Sequence, residues 1–183
     1  MKFYLSAKWQ LKEIVAKTRD YLIEKGHEVP VDWTTRAFAR DYESFGKSGK
    51  FAEEEIKAIS NTDVLINFSD PKEGLGKYVD FGAGILGNVL KDILGNENTM
   101  KSLKDILSNE IVRKELNKDS INALDMVIGV LDNLPSFIYV LGSKTTESQF
   151  YFHKNVKRKI CNIYEEEELY KTLEVILSEV TIN

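Results

Sequence analysis

An α/β fold, a doubly wound parallel sheet, is predicted by three features of this chain. Short apolar runs alternate with helical patterns. Those runs are apolar on both faces, as strands buried in a parallel sheet are. A carboxylate, Asp80, follows one of them across a glycine-containing loop and opens a helix. With 183 residues, 43% of them hydrophobic and 30% charged, the chain has the size and balance of a single globular domain spanning residues 1–183.

Phe3, Tyr4 and Leu5 give a first buried strand. Leu11, Ile14, Val15, Leu22 and Ile23 then recur at helical spacing, and Gly26 is the stop signal. His27 to Trp33 reads as a second strand, which Pro30 places at an edge or makes irregular. Residues 34–50 are polar, carry Arg36 and Arg40, and read as a loop over the sheet edge. A helix from about Phe51 to Ser60 leads into an apolar strand over 64–68, and Asp80 to Leu86 begins the next helix. Pro135 introduces a strand over 137–141, ended by Gly142, and 158–163 is a weaker last strand. Glu165 to Glu168 form the acidic first turn of a closing amphipathic helix with Leu169, Leu173, Val175, Ile176 and Val180. Residues 88–134 interrupt the alternation. Their apolar positions, Ile106 and Leu107 among them, have helical spacing and predict an inserted helical hairpin or small bundle.

The formal charge of -4 and pI of about 5.4 disfavour a nucleic-acid polymer or a membrane surface as partner, and leave room for a small anion. One cysteine, Cys161, cannot form an intrachain disulfide, and its apolar neighbours predict a buried thiol. No stretch has the length of a membrane span or the pattern of a signal peptide, so a cytoplasmic protein is expected. His27 and His153 are far apart, so neither a zinc site nor another metal is expected. The loop Gly74-Leu75-Gly76-Lys77 lacks the spacing and hydroxyl of a Walker A loop, and the turn Ser6-Ala7-Lys8 lacks the glycines of a dinucleotide fingerprint. No cofactor is expected.

The chemistry converges on carboxylates. Asp80 lies where a strand hands over to a helix, the edge at which open parallel sheets take ligands, and a helix N-terminus favours its ionised form. Glu55 precedes the strand at Val64, and Asp63 adjoins it. Cleaving an N-glycosidic bond needs one group to stabilise or capture an electron-poor sugar carbon, and others to fix its hydroxyls or protonate the departing base. Two converging carboxylates supply both. The plainer readings are a solvated helix face for Glu55 and a helix cap for Asp80.

The order of motifs resembles the nucleoside 2-deoxyribosyltransferase-like superfamily, which includes nucleoside monophosphate N-glycosidases. The matching pieces are Phe3-Tyr4-Leu5-Ser6-Ala7, then Gly26-His27-Glu28-Val29 running on to Asp32-Trp33-Thr34. Glu55 follows, eight residues before Asp63 in Thr62-Asp63-Val64; next come Gly76-Lys77-Tyr78-Val79-Asp80-Phe81-Gly82-Ala83 and Phe150-Tyr151-Phe152-His153. The resemblance implies a Rossmann-like fold, a catalytic carboxylate at Asp80, a sugar-hydroxyl contact from Glu55, and a homo-oligomer. It also implies a polar residue lent by a neighbouring subunit, near Ser148 or Gln149. With it, Ser6, Ala7, Lys8 and Trp9 become the turn that meets phosphate or base, Trp33 and Gly76 join the substrate-binding set, and Lys8, Arg36 or Arg40 holds a 5'-phosphate. The chain departs from the family at Asp80, where glutamate is usual, at Glu55, where aspartate is usual, and at Gly74, where a polar residue is common. The expected activity is cleavage or transfer of the N-glycosidic bond of a nucleoside or its monophosphate. A nucleotide sensor that has lost the chemistry and a TIR-like NAD hydrolase are the alternatives.

Overall fold

The computed structural model describes residues 1–35, 54–69, 101–102, 105–106, 108–114, 135–143 and 154–181. Four parallel strands form its sheet: β1 (Phe3–Ser6), β2 (Val64–Ser69), β3 (Phe137–Gly142) and β4 (Val156–Ile160), in that spatial order. Among the described residues, the helices that bear on the sheet and its insertion include α1 (Lys12–Glu24), α2 (54–59), α3 (Glu110–Lys114) and α4 (Glu166–Thr181).

Alternation along the strands builds two apolar layers. Phe3, Leu5, Val64, Ile66, Phe68, Tyr139 and Leu141 point to one face and pack with Leu11, Val15 and Leu22 beside α1 and Leu169, Leu173, Ile176, Leu177 and Val180 of α4. Tyr4, Leu65, Ile138 and Val140 point to the other and pack with Ala58 and Ile59 of α2. Covering helices on both faces are what allow β2 to be buried along its whole length. On α4 the inward stripe runs 169, 173, 176, 177, 180, so Val175 faces outward at 48% exposure instead of joining the core. Ile23 is likewise turned away from the stripe that holds Val15 and Leu22 and is 52% exposed.

Helix α1 ends as its glycine requires. Gly26 takes φ 83°, its N–H bonds the Ile23 carbonyl at 2.9 Å, and the His27 N–H bonds the Leu22 carbonyl at 3.0 Å. This is a Schellman cap, in which a left-handed residue satisfies the last carbonyls.

The expected second strand shrinks to one parallel bridge, Lys2 to Glu28. The Glu28 N–H reaches the Met1 carbonyl at 2.9 Å, and the Phe3 N–H reaches the Glu28 carbonyl at 2.8 Å. The next donor in that ladder would be the N–H of residue 30, and proline has none. Trp33 sits instead in a 3-10 turn, Trp33–Thr35. The last strand also differs from its expected position: β4 starts at Val156 and ends at Ile160, while Cys161 and Ile163 lie past its end and are buried under α4.

Within the stretch expected to hold inserted helices, residues 101–102, 105–106, 108 and 110–114 are helical. Ile106, expected on their packed face, is 59% exposed. No helix of the described residues is long and apolar enough to cross a membrane.

Candidate functional site

Because Lys2 bridges Glu28 on one side and β1 pairs β2 on the other, the chain leaves β1 in opposite directions across the sheet. A doubly wound sheet opens its ligand crevice at such a reversal, outside the carboxyl ends of the strands. Here those ends are Ser6, paired with Asn67, and Ser69, paired with Gly142. The Asn67 amide donates to the Ser6 hydroxyl at 3.3 Å, and both side chains are fully buried. Gly142 has no room for a side chain: a Cβ there would collide with the Ser69 carbonyl oxygen. The strand ends below the crevice are thus close-packed and polar.

The turn after β1 carries four of the expected binding residues. Ser6 is in the sheet floor, and Ala7, Lys8 and Trp9 are half-buried around a 3-10 turn, Trp9–Leu11. Its closing bond runs from the Leu11 N–H to the Lys8 carbonyl at 2.9 Å. The Trp9 ring lies 6.1 Å from the ring of Trp33, and the Lys12 ammonium lies 5.4 Å from the Trp9 ring centre. Trp33 is buried, and its indole N–H donates to the Leu5 carbonyl at 2.7 Å. That carbonyl is one a longer second strand would have used.

Glu55 lies on α2, three and four residues before Ala58 and Ile59, which pack on the sheet. It therefore shares their stripe and is half-buried, whereas Glu54 and Lys57 are exposed. This is not the solvated helix face that a Glu53-Glu54-Glu55 run suggests. The lower end of α2 is closed by side chains: the Ser60 hydroxyl and Asn61 amide donate to the Lys57 carbonyl, and the Thr62 hydroxyl to the Ala58 carbonyl at 2.7 Å. Asp63, the neighbouring carboxylate, works at the opposite edge of the sheet from the crevice. Its side chain accepts the Lys2 N–H at 2.7 Å, and its carbonyl accepts the N–H groups of Ser136 and Phe137. It splices the starts of β1, β2 and β3.

Sequence reasoning missed Arg19. Its Nη1 donates to the Asp32 carboxylate and, at 3.3 Å, to the Thr34 hydroxyl, while Nε and Nη2 donate to Asp20 at 2.8 and 2.6 Å. The bond to Asp20 and the charge of Asp32 hold the guanidinium above its already high range, against the effect of burial. An open groove of about 590 Å³ runs from Pro30, Val31, Asp32 and Thr35 to Glu54, Lys57, Ala58 and Asn61. It occupies the flank that a full second strand would fill. Among the described residues no group of three or more histidine, cysteine, aspartate or glutamate side chains is placed to hold a metal ion. Cys161 is buried, which pushes its thiol up.

Asp80, Arg36, Arg40, Gly76, Ser148 and Gln149 lie outside the described residues. The structure therefore brings together Ser6, Ala7, Lys8, Trp9 and Trp33 near the end of β1, and puts Glu55 on the helix that covers the other face of the sheet.

Neither a protein-family model nor a curated protein sequence matches this chain. Among solved structures, the CMP N-glycosidase BcmB of Clostridium botulinum is similar in fold. The match has a TM-score of 0.50 and 16% identity, and covers 95% of this chain and 99% of that one. The α/β architecture read from the sequence is thus shared with that enzyme.

Proposed function

We propose that this protein cleaves the N-glycosidic bond of a nucleoside monophosphate, with Asp80 as nucleophile and Glu55 as the group that orients the sugar. The observation that carries the reading is the position of Glu55: a half-buried carboxylate on the sheet-facing stripe of α2, three and four residues before Ala58 and Ile59. The fold shared with a CMP N-glycosidase supports it, as does the family resemblance of the motifs around Asp80.

In this reaction the Asp80 carboxylate attacks the anomeric carbon as the bond to the base nitrogen breaks. The electron pair leaves with the base, which takes up a proton. Water then cleaves the glycosyl ester, releasing the sugar phosphate and restoring the carboxylate. If a second base takes the place of water, the same site is a transferase. Lys8, Arg36 and Arg40 are the cations assigned to the 5'-phosphate, and Ser148 or Gln149 of a neighbouring subunit would complete the site in a homo-oligomer. Aspartate at position 80 reaches one methylene less far than the family's glutamate. That departure favours, as a second reading, a protein that binds nucleotide without turning it over.

Release of free base from CMP, deoxycytidine monophosphate, deoxycytidine and NAD, measured side by side, tests these readings. The expected result is release from a monophosphate, lost by at least about a thousandfold in Asp80→Asn, the scale expected when a transition-state charge is removed. Binding of CMP without base release would establish the second reading. Release from NAD alone would overturn both in favour of a dinucleotide hydrolase.

A further inference from the structure

We infer that the Arg19–Asp32 ion pair is the positioning device for the Trp33–Trp9 ring pair at the end of β1, and that it sets how well the turn carrying Trp9 accepts a nucleotide. The second half of this inference rests on the function proposed above; the first half does not. Beyond the Glu28 bridge, Pro30 leaves the chain without a ladder to follow, so residues 31–35 must be held by side chains. Arg19 does this from the middle of α1. One arm of its guanidinium reaches both Asp32 and Thr34, the two neighbours of Trp33. Asp32 in turn accepts the Thr34 N–H at 3.0 Å, which bends the chain into the turn that carries the indole. With both neighbours pinned, Trp33 Nε1 is aimed at the Leu5 carbonyl and its ring lies against Trp9, on the turn assigned to substrate.

Position separates this role from simple packing. The side chains of Arg19 and Asp32 are 20% and 28% exposed, so the pair lies at the flank and not in either apolar layer. A lysine cannot replace the arginine, because one ammonium does not span Asp32, Thr34 and Asp20 as the fork does. The chain's two tryptophans both stand at the end of this linkage, so their emission reports on it.

The test compares the full chain with Arg19→Met, Arg19→Lys, Asp32→Asn and the Arg19→Met/Asp32→Asn double variant. Tryptophan emission, KM and kcat for CMP, and melting temperature are the readouts. Arg19→Met and Asp32→Asn should each shift emission to the red and raise KM roughly tenfold, with kcat within about twofold, and the double variant should be no worse than either single one. Arg19→Lys should not restore KM. Emission unchanged in both single variants overturns the inference, as does a KM that moves only in step with melting temperature. If the parent neither cleaves nor binds CMP, the functional reading fails, and emission still decides whether the pair positions the tryptophans.

Discussion

Beyond β3 the chain lays down β4, pairs it over five residues and covers the flank with the sixteen-residue helix α4. Beyond β1 it lays down one bridge at Glu28 and then a turn held by an indole, a guanidinium and a carboxylate. The first flank is built from backbone and buried apolar area, and two cations of β4, Lys157 and Lys159, pair with Glu179 of α4. Lys159 and the Tyr139 hydroxyl both engage Glu179, whose carboxyl is held low first by Lys159, while burial pushes the Tyr139 hydroxyl well up. The second flank is built from a few directional bonds beside the crevice. Damage to the first should therefore unfold the molecule, and damage to the second should change the site before it changes the fold.

The largest effect belongs to Leu173→Ala on α4. Leu173 is fully buried among Tyr139, Ile176 and their neighbours, and losing its isopropyl end should cost about 2–5 kcal/mol in urea unfolding. Tryptophan emission of the folded variant should match the parent. A loss below about 1 kcal/mol would mean that α4 is not the principal cover of this flank and would break the comparison.

Trp33→Phe should act more locally. Phenylalanine keeps most of the apolar contact with Trp9 but leaves the Leu5 carbonyl without its 2.7 Å donor, a loss of about 1–3 kcal/mol for a buried acceptor. Hydrogen exchange should rise first at the Phe3 and Glu28 amides, with β3 and β4 still protected. Uniform loss of protection across the sheet would show that the two flanks are not separate.

The same comparison explains what was legible in the sequence. The strands at 3–6, 64–69 and 137–142 announce themselves as apolar runs because burial on both faces demands it. The end of α1 is equally plain, since only glycine takes the φ that its cap needs. The inward stripe of α4 is readable except at Val175, which faces outward, and Leu177, which the expected set lacks and the core includes; hydrophobicity alone does not say which side of a helix a residue occupies. The β1 flank was half legible. Pro30 warned that the second strand would be irregular, but nothing local to Arg19 signals that it will meet Asp32, thirteen residues on. For the site, spacing nominated Glu55, yet its half-buried place on the inward stripe comes from Ala58 and Ile59, not from its acidic neighbours. Asp63, the carboxylate next to the same strand, belongs to the far edge of the sheet.

The smallest effect tests the root of the β1 flank by pH. His27 closes the α1 cap through its N–H and starts the segment that bridges at Glu28. Its ring meets Phe3 edge-on at 5.2 Å, and its Nδ1 is enclosed without a hydrogen-bond partner among the described residues. Burial, and then the positive N-terminus, lower its pKa from the ordinary 6.5. The native state therefore prefers neutral His27. As pH falls through about 6.5 the unfolded chain binds the proton first, so stability drops until the native ring also titrates. Unfolding midpoints in urea at about pH 7.5 and about pH 5.5 should differ more in the parent than in His27→Gln, which has no charge to gain. His153, present in both proteins, cancels in that comparison. Equal pH sensitivity of the two would show that protonated His27 is tolerated where it stands, and that this flank is held by Arg19 and Trp33 with no contribution from a neutral imidazole beneath Phe3.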